Sequence, residues 1–115
     1  MEKERKRRER SDIVGEYLNA AKGGWTQKTK LMYEAGVSFA QHKAYLKALV
    51  ETGFLEEREN PANRNRSEYK TTESGLELLD SLGKSLSGMK KINEFFLKNP
   101  FTTQSGKQIR KTYFL

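Results

Sequence analysis

The chain has 115 residues, 35% hydrophobic and 32% charged, with a formal charge of +7; this suits one small domain with a thin apolar core. Cysteine is absent and His42 is the single histidine, which excludes disulfide frameworks, thiolate catalysis and Cys- or His-based metal centres. No apolar run reaches the roughly 20 residues of a membrane span, and the N-terminal stretch is charged, so a soluble, cytoplasmic protein is expected.

Ser11-Asp12 reads as a helix cap, followed by Ile13, Val14, Tyr17, Leu18 and Ala21 on one face and Gly23-Gly24 as the stop. Thr26 is the expected cap of a short second helix, Gln27 to Glu34, with Leu31 and Met32 inward and Ala35-Gly36 ending it. Ser38 opens a third helix, Phe39 to Glu51, with Leu46, Leu49 and Val50 along its buried side and Gly53 as its stop. Only a short Gly-containing turn, Glu34 to Val37, separates these two helices, as a helix-turn-helix requires.

Phe54–Arg58 and Glu68–Thr71 read as paired strands, with Glu59–Ser67 as a polar connecting loop. Arg64 and Arg66 place cations on that loop, where a wing reaches a phosphate or minor groove. Thr72 begins a last helix running to Leu97, which Pro100 ends. Within it Leu79, Leu82, Leu86, Met89, Asn93 and Phe96 are spaced alternately by three and four, a heptad seam that predicts a dimer-forming coiled coil. The expected class is mostly α with a small β-hairpin: a winged helix-turn-helix with a long C-terminal dimerisation helix. The expected boundaries are a basic arm 1–10, a winged helix 11–72, the dimerisation helix 73–98 and a basic tail 99–115.

The arm carries +3 and the stretch from Lys98 onward +4, so the body between is formally neutral but polarised. Lys22, Lys28, Lys30, Lys43 and Lys47 face only Glu34, whereas the acids gather in Glu51–Glu59 and Glu73–Asp80. A basic face of this kind suits a polyanion, because each neutralised phosphate releases counterions.

The stretches Thr29–Ser38, Tyr45–Leu55 and Tyr69–Gly75 resemble the archaeal winged helix-turn-helix proteins that are predicted transcriptional regulators. The resemblance covers Ser11 to Leu97 and implies double-stranded DNA binding and dimerisation through an antiparallel C-terminal coiled coil. Members range from gene regulators to chromatin-like proteins. This chain departs from the pattern at His42, where an aliphatic residue is usual, and Phe101–Leu115 lies outside it.

On the third helix, Gln41, Lys43, Ala44, Lys47 and Ala48 are expected to project outward. Gln41 suits adenine, Lys43 suits guanine or a phosphate, and the small Ala40 and Ala44 allow close approach to the groove floor. Ser38 caps that helix, while Thr26, Gln27, Lys28 and Lys30 stand where free backbone N–H groups favour a phosphate. Tyr33 and Tyr45 can present hydroxyls to phosphates, but the default reading packs them with Trp25 and Phe54 in the core, and His42 reads as a partly buried helper without a second metal ligand. Gly83-Lys84-Ser85 mimics the end of a phosphate-binding loop, but Leu78 stands where its first glycine belongs. Asn65-Arg66-Ser67 matches a glycosylation acceptor without any mark of secretion. No nucleophile–base constellation or cofactor loop emerges. The expectation is a non-enzymatic, nucleoid-associated homodimer that binds double-stranded DNA as a transcription regulator. The alternatives are an architectural DNA-binding protein and a protein-interaction module.

Overall fold

The computed structural model describes residues 9–85 and 87–100. The elements in order are α1 (Arg10–Ala20), β1 (Thr26–Gln27), α2 (Lys28–Ala35), α3 (Phe39–Glu51), β2 (Leu55–Asn60), β3 (Asn63–Thr71), α4 (Glu73–Ser81), a 3-10 turn (Ser87–Met89) and α5 (Lys90–Lys98). The helix, helix, helix, hairpin order is as the sequence predicts. The first helix starts slightly earlier than expected, with the Glu9 backbone N–H donating to Asp12 at 3.0 Å.

Every helix, the 3-10 turn and both strands of the hairpin contribute to one apolar cluster. Val14, Tyr17 and Leu18 of α1 meet Leu31 and Ala35 of α2, Tyr45, Leu46, Ala48 and Leu49 of α3, and Leu55 and Tyr69 of the hairpin. The helical spacing of these residues is what turns one stripe of each helix inward. Thr71, a buried polar residue, is satisfied by closing the end of α1: its hydroxyl donates to the Leu18 carbonyl at 2.8 Å, and its N–H donates to that of Ala21 at 3.1 Å. Orphan carbonyls at the end of a helix thereby find partners in the sheet. Thr72 caps α4 by accepting from the Gly75 N–H at 3.0 Å. At Gly75 any Cβ would overlap the Phe54 carbonyl, so only glycine lets α4 lie this close to the start of the hairpin.

Two expectations about the sheet are corrected. The sheet has three strands in the order β1-β3-β2, because Thr26 and Gln27 pair with Tyr69 and Glu68. Thr26 is therefore a strand residue whose hydroxyl donates to the Gly24 carbonyl at 3.0 Å, and Gln27 occupies the cap position of α2. The wing is more ordered than a loop: β2 and β3 run to a tight turn at Pro61-Ala62, and the register slips between Glu59 and Asn60. The side-chain Oδ1 atoms of Asn60 and Asn63 accept the backbone N–H groups of Ala62 and Asn65 at 2.8 and 3.1 Å. Such Asx hydrogen bonds favour turn geometry.

The single long C-terminal helix is also corrected. α4 ends at Ser81, a turn spans Leu82–Ser85, and α5 doubles back on the domain. Met89, Ile92 and Phe96 are buried in the protein's own core, and Phe96 meets Tyr45 edge-on at 5.3 Å. Leu79 and Leu82 pack partly against the same core, Asn93 accepts a hydrogen bond from Arg10 at 2.8 Å, and Leu86 lies outside the described residues. The physical reason is a comparison of magnitudes. Continuing the helix through Gly83 and Gly88 forfeits roughly 1 kcal/mol at each glycine, and the serines offer competing local bonds, as when the Ser85 hydroxyl accepts the Ser87 N–H at 3.1 Å. Burying Met89, Ile92 and Phe96 stabilises by roughly 1.5–3 kcal/mol each. Folding back wins.

Candidate nucleic-acid interface

The turn between α2 and α3 depends on one backbone conformation. Gly36 ends α2 with φ 65°, in the left-handed region, and its N–H donates to the carbonyls of Met32 and Tyr33. A side chain there is strained, so glycine sets the angle between the two helices. Ser38 then caps α3: its hydroxyl accepts from the Gln41 N–H, and the Gln41 side-chain carbonyl accepts from the Ser38 N–H, both at 3.2 Å. This reciprocal box satisfies two otherwise orphaned donors.

The box also changes what Gln41 can do. Its side-chain oxygen is engaged at the helix start, so the expected bidentate reader of adenine is tied to the backbone instead. Ala48 is fully buried rather than outward, and Ala44 is half-buried beside Phe95 and Phe96 where α5 packs along α3. The side of α3 left open consists of Phe39, Ala40, Lys43, Lys47 and Glu51. Among the described residues no carboxylate lies within salt-bridge distance of Lys28, Lys43 or Lys47. Lys28 and Lys30 stand exposed in the first turn of α2, the latter 3.8 Å from Glu34. Arg64 and Arg66 are exposed on β3, with Arg64 only loosely drawn to Glu59 at 3.8 Å. A surface ion pair of this kind contributes little and leaves the guanidinium available.

Sequence reasoning gave Phe39 no role and placed Tyr33 in the core by default, with a contact to phosphate as its alternative. Phe39 is 63% exposed and Tyr33, expected in the core, is 85% exposed. The available signal was positional: Phe39 is the first helical residue after the cap, one heptad before Leu46 on the same side of α3, at the end of the helix where less of the body packs over it. Trp25 is not a core residue either; it is half-buried at the sheet, with the Arg58 guanidinium stacked 4.2 Å from its ring and held by Glu68 at 3.0 Å. Tyr45 and Phe54 are buried as expected.

His42 belongs to the core. It is 3% exposed, stacks on Tyr17, and shares a hydrogen bond with the Tyr17 hydroxyl through Nδ1 at 2.8 Å. Its Nε2 has no hydrogen-bond partner. Burial, reinforced by the Lys28 ammonium, holds the imidazole below its ordinary pKa and favours the neutral ring. A concavity of about 500 Å3 lies between α3 and the sheet, with Lys28, Phe39, Lys43, Lys47 and Tyr69 among its lining residues. Burial, with help from the Glu57 carboxylate that accepts its hydroxyl at 3.0 Å, pushes the Tyr69 phenol up to about 12.

The described residues thus present a short helix pair, an open cationic helix face and a two-stranded wing on one scaffold. Among them no helix is long and apolar enough to cross a membrane. Solved structures share this fold. Sso10a-2, a DNA-binding protein from Sulfolobus solfataricus, superposes with a TM-score of 0.60 at 20% identity over 86% of this chain and 100% of its own. The PcaV transcriptional regulator of Streptomyces coelicolor gives 0.56 at 19% identity, covering 81% of this chain. A MarR mutant from E. coli complexed with operator DNA gives 0.54 at 18% identity, also over 81% of this chain. This chain spans 62% of the length of both the PcaV and the MarR chains. At these identities the likeness is one of fold. In sequence, the chain is 28% identical over 78 residues to the uncharacterized protein MJ0287 of Methanocaldococcus jannaschii, spanning 68% of this chain and 73% of that one. The family profile of the winged helix-turn-helix matches residues 7–91, and the chain belongs to that family.

Proposed function

We propose that the protein binds double-stranded DNA and acts as a non-enzymatic transcription regulator, with α3 in the major groove and the β2–β3 wing on the flanking backbone. The observation that carries this reading is the uncovered face of α3, where Lys43 and Lys47 stand without carboxylate partners among the described residues. Lys28 lines the same concavity as Lys43 and Lys47, and the exposed Lys30, Arg64 and Arg66 supply further cations for phosphates. The expected basic arm and the tail 99–115 add cations, although most of both lies outside the described residues.

The engagement of Gln41 in the capping box favours an architectural protein as the second reading, since it removes a base-reading side chain and leaves affinity to phosphate contacts. We further propose a homodimer, and the exposed Leu76 of α4 and Leu97 of α5 are what a second copy would cover, in place of the buried Met89 and Phe96. Sedimentation of the full chain tests this, and a monomer at all concentrations refutes it.

The DNA reading is tested by anisotropy of a labelled mixed-sequence duplex titrated at several salt concentrations. Binding is expected to weaken steeply with salt. Lys43→Ala and Arg64→Ala are each expected to lower the slope of log affinity against log salt by about 0.9, one phosphate apiece. A full chain that ignores duplex DNA in dilute buffer refutes the proposal.

A further inference from the structure

Phe39 is an aromatic side chain that the fold does not use. It is the first residue of α3, 63% exposed, and it packs into no part of the apolar cluster. The Lys43 ammonium, one turn further along, lies 5.8 Å from the ring centre. Exposing a large apolar ring is unfavourable for the isolated chain, so a ligand that covers it gains from the burial.

The surroundings specify which ligand. The N-terminal residues of a recognition helix are the ones that meet base edges in a major groove. Here that turn offers the Phe39 ring, the exposed methyl of Ala40 and the Lys43 ammonium, while Gln41 is engaged with the backbone of Ser38. An apolar ring cannot read a donor or an acceptor. The apolar mark in the major groove is the C5-methyl of thymine. The cations around the ring, Lys28, Lys43 and Lys47, draw the duplex to this surface without discriminating among bases.

We propose that Phe39 is a specificity-determining residue that packs against thymine C5-methyl groups, giving the protein a preference for methyl-bearing pyrimidine steps. The inference rests on the DNA-binding reading above and deepens it. Lys43, 5.8 Å from the ring centre, holds the adjoining phosphate and so keeps the backbone close to the ring.

The test compares two duplexes of one mixed sequence, one with thymine and one with every thymine replaced by uracil. This removes the methyl groups while keeping phosphate charge and base pairing. With the full chain, the uracil duplex is expected to bind about fourfold more weakly for each methyl contacted. Phe39→Ala is expected to bind both duplexes equally, at the level of the unchanged protein on uracil DNA, with an unaltered salt slope. Phe39→Leu, which keeps an apolar side chain, is expected to retain part of the preference. Equal affinity of the unchanged protein for the two duplexes overturns the inference while leaving DNA binding intact. A Phe39→Ala chain with native circular dichroism that keeps the full methyl preference overturns it as well. Failure of the unchanged protein to bind either duplex overturns this inference and the DNA-binding reading together.

Discussion

Ile92→Ala separates a C-terminal segment that completes its own domain from one that exists to pair with another copy. Ile92 is fully buried at the centre of the inner face of α5. Truncation removes three carbons, worth about 0.8 kcal/mol each in transfer alone, or about 2.4 kcal/mol. The cavity left in a packed core raises the loss to about 3–4 kcal/mol. Domains have total stabilities of about 5–15 kcal/mol, so this is a large fraction. Urea unfolding followed by circular dichroism measures it, and the thermal midpoint falls by about 4–8 °C per kcal/mol. Because the burial is intramolecular, the loss is expected to be the same in dilute and concentrated protein. Leu97→Ala, five residues further along but 80% exposed, is the control and is expected to stay within about 0.5 kcal/mol in dilute solution. A loss below about 1 kcal/mol for Ile92→Ala, or one that appears only in concentrated protein, would refute the fold-back of α5.

Three further outcomes are expected. Gly36→Ala forces a Cβ into the left-handed region at the helix-turn-helix corner and is expected to destabilise by about 1 kcal/mol, with Gly36→Asn milder; equal stability of all three proteins counts against that geometry. For His42 the folded pKa lies below its ordinary value, so the unfolded chain takes up the proton first as pH falls. Stability from this group is whole above about pH 6.5 and declines below it, towards the lower folded value. Urea midpoints at neutral and mildly acid pH check this, and His42→Phe is expected to flatten the decline; parallel curves for the two proteins would contradict it. Gly75→Ala collides with the Phe54 carbonyl and is expected to lower the thermal midpoint more than Gly23→Ala, where a Cβ meets open space.

Much of the fold was legible because it rests on local rules. The stripe Ile13, Val14, Tyr17 and Leu18, the Ser38 cap, the Gly36 stop and the Phe39–Glu51 helix all follow from spacing and capping chemistry, and the structure has each of them. The cations of the candidate interface were legible for the same reason: helical periodicity alone turns Lys43 and Lys47 away from the buried Leu49.

What the sequence by itself determined, then, is the helix, helix, helix, hairpin succession and the charge of the outward helix face, because both depend on neighbours within a turn or two. Only the tertiary structure decided the fate of the C-terminal segment. A heptad spacing is satisfied equally by a second copy and by the chain's own body, and here Met89, Ile92 and Phe96 bury themselves against α3 and its neighbours. The same holds for His42, Ala48, Phe39 and Thr26. Whether an uncharged side chain on a helix is buried or bare depends on what packs over it, and whether Thr26 caps a helix or edges a sheet depends on a partner strand more than forty residues away.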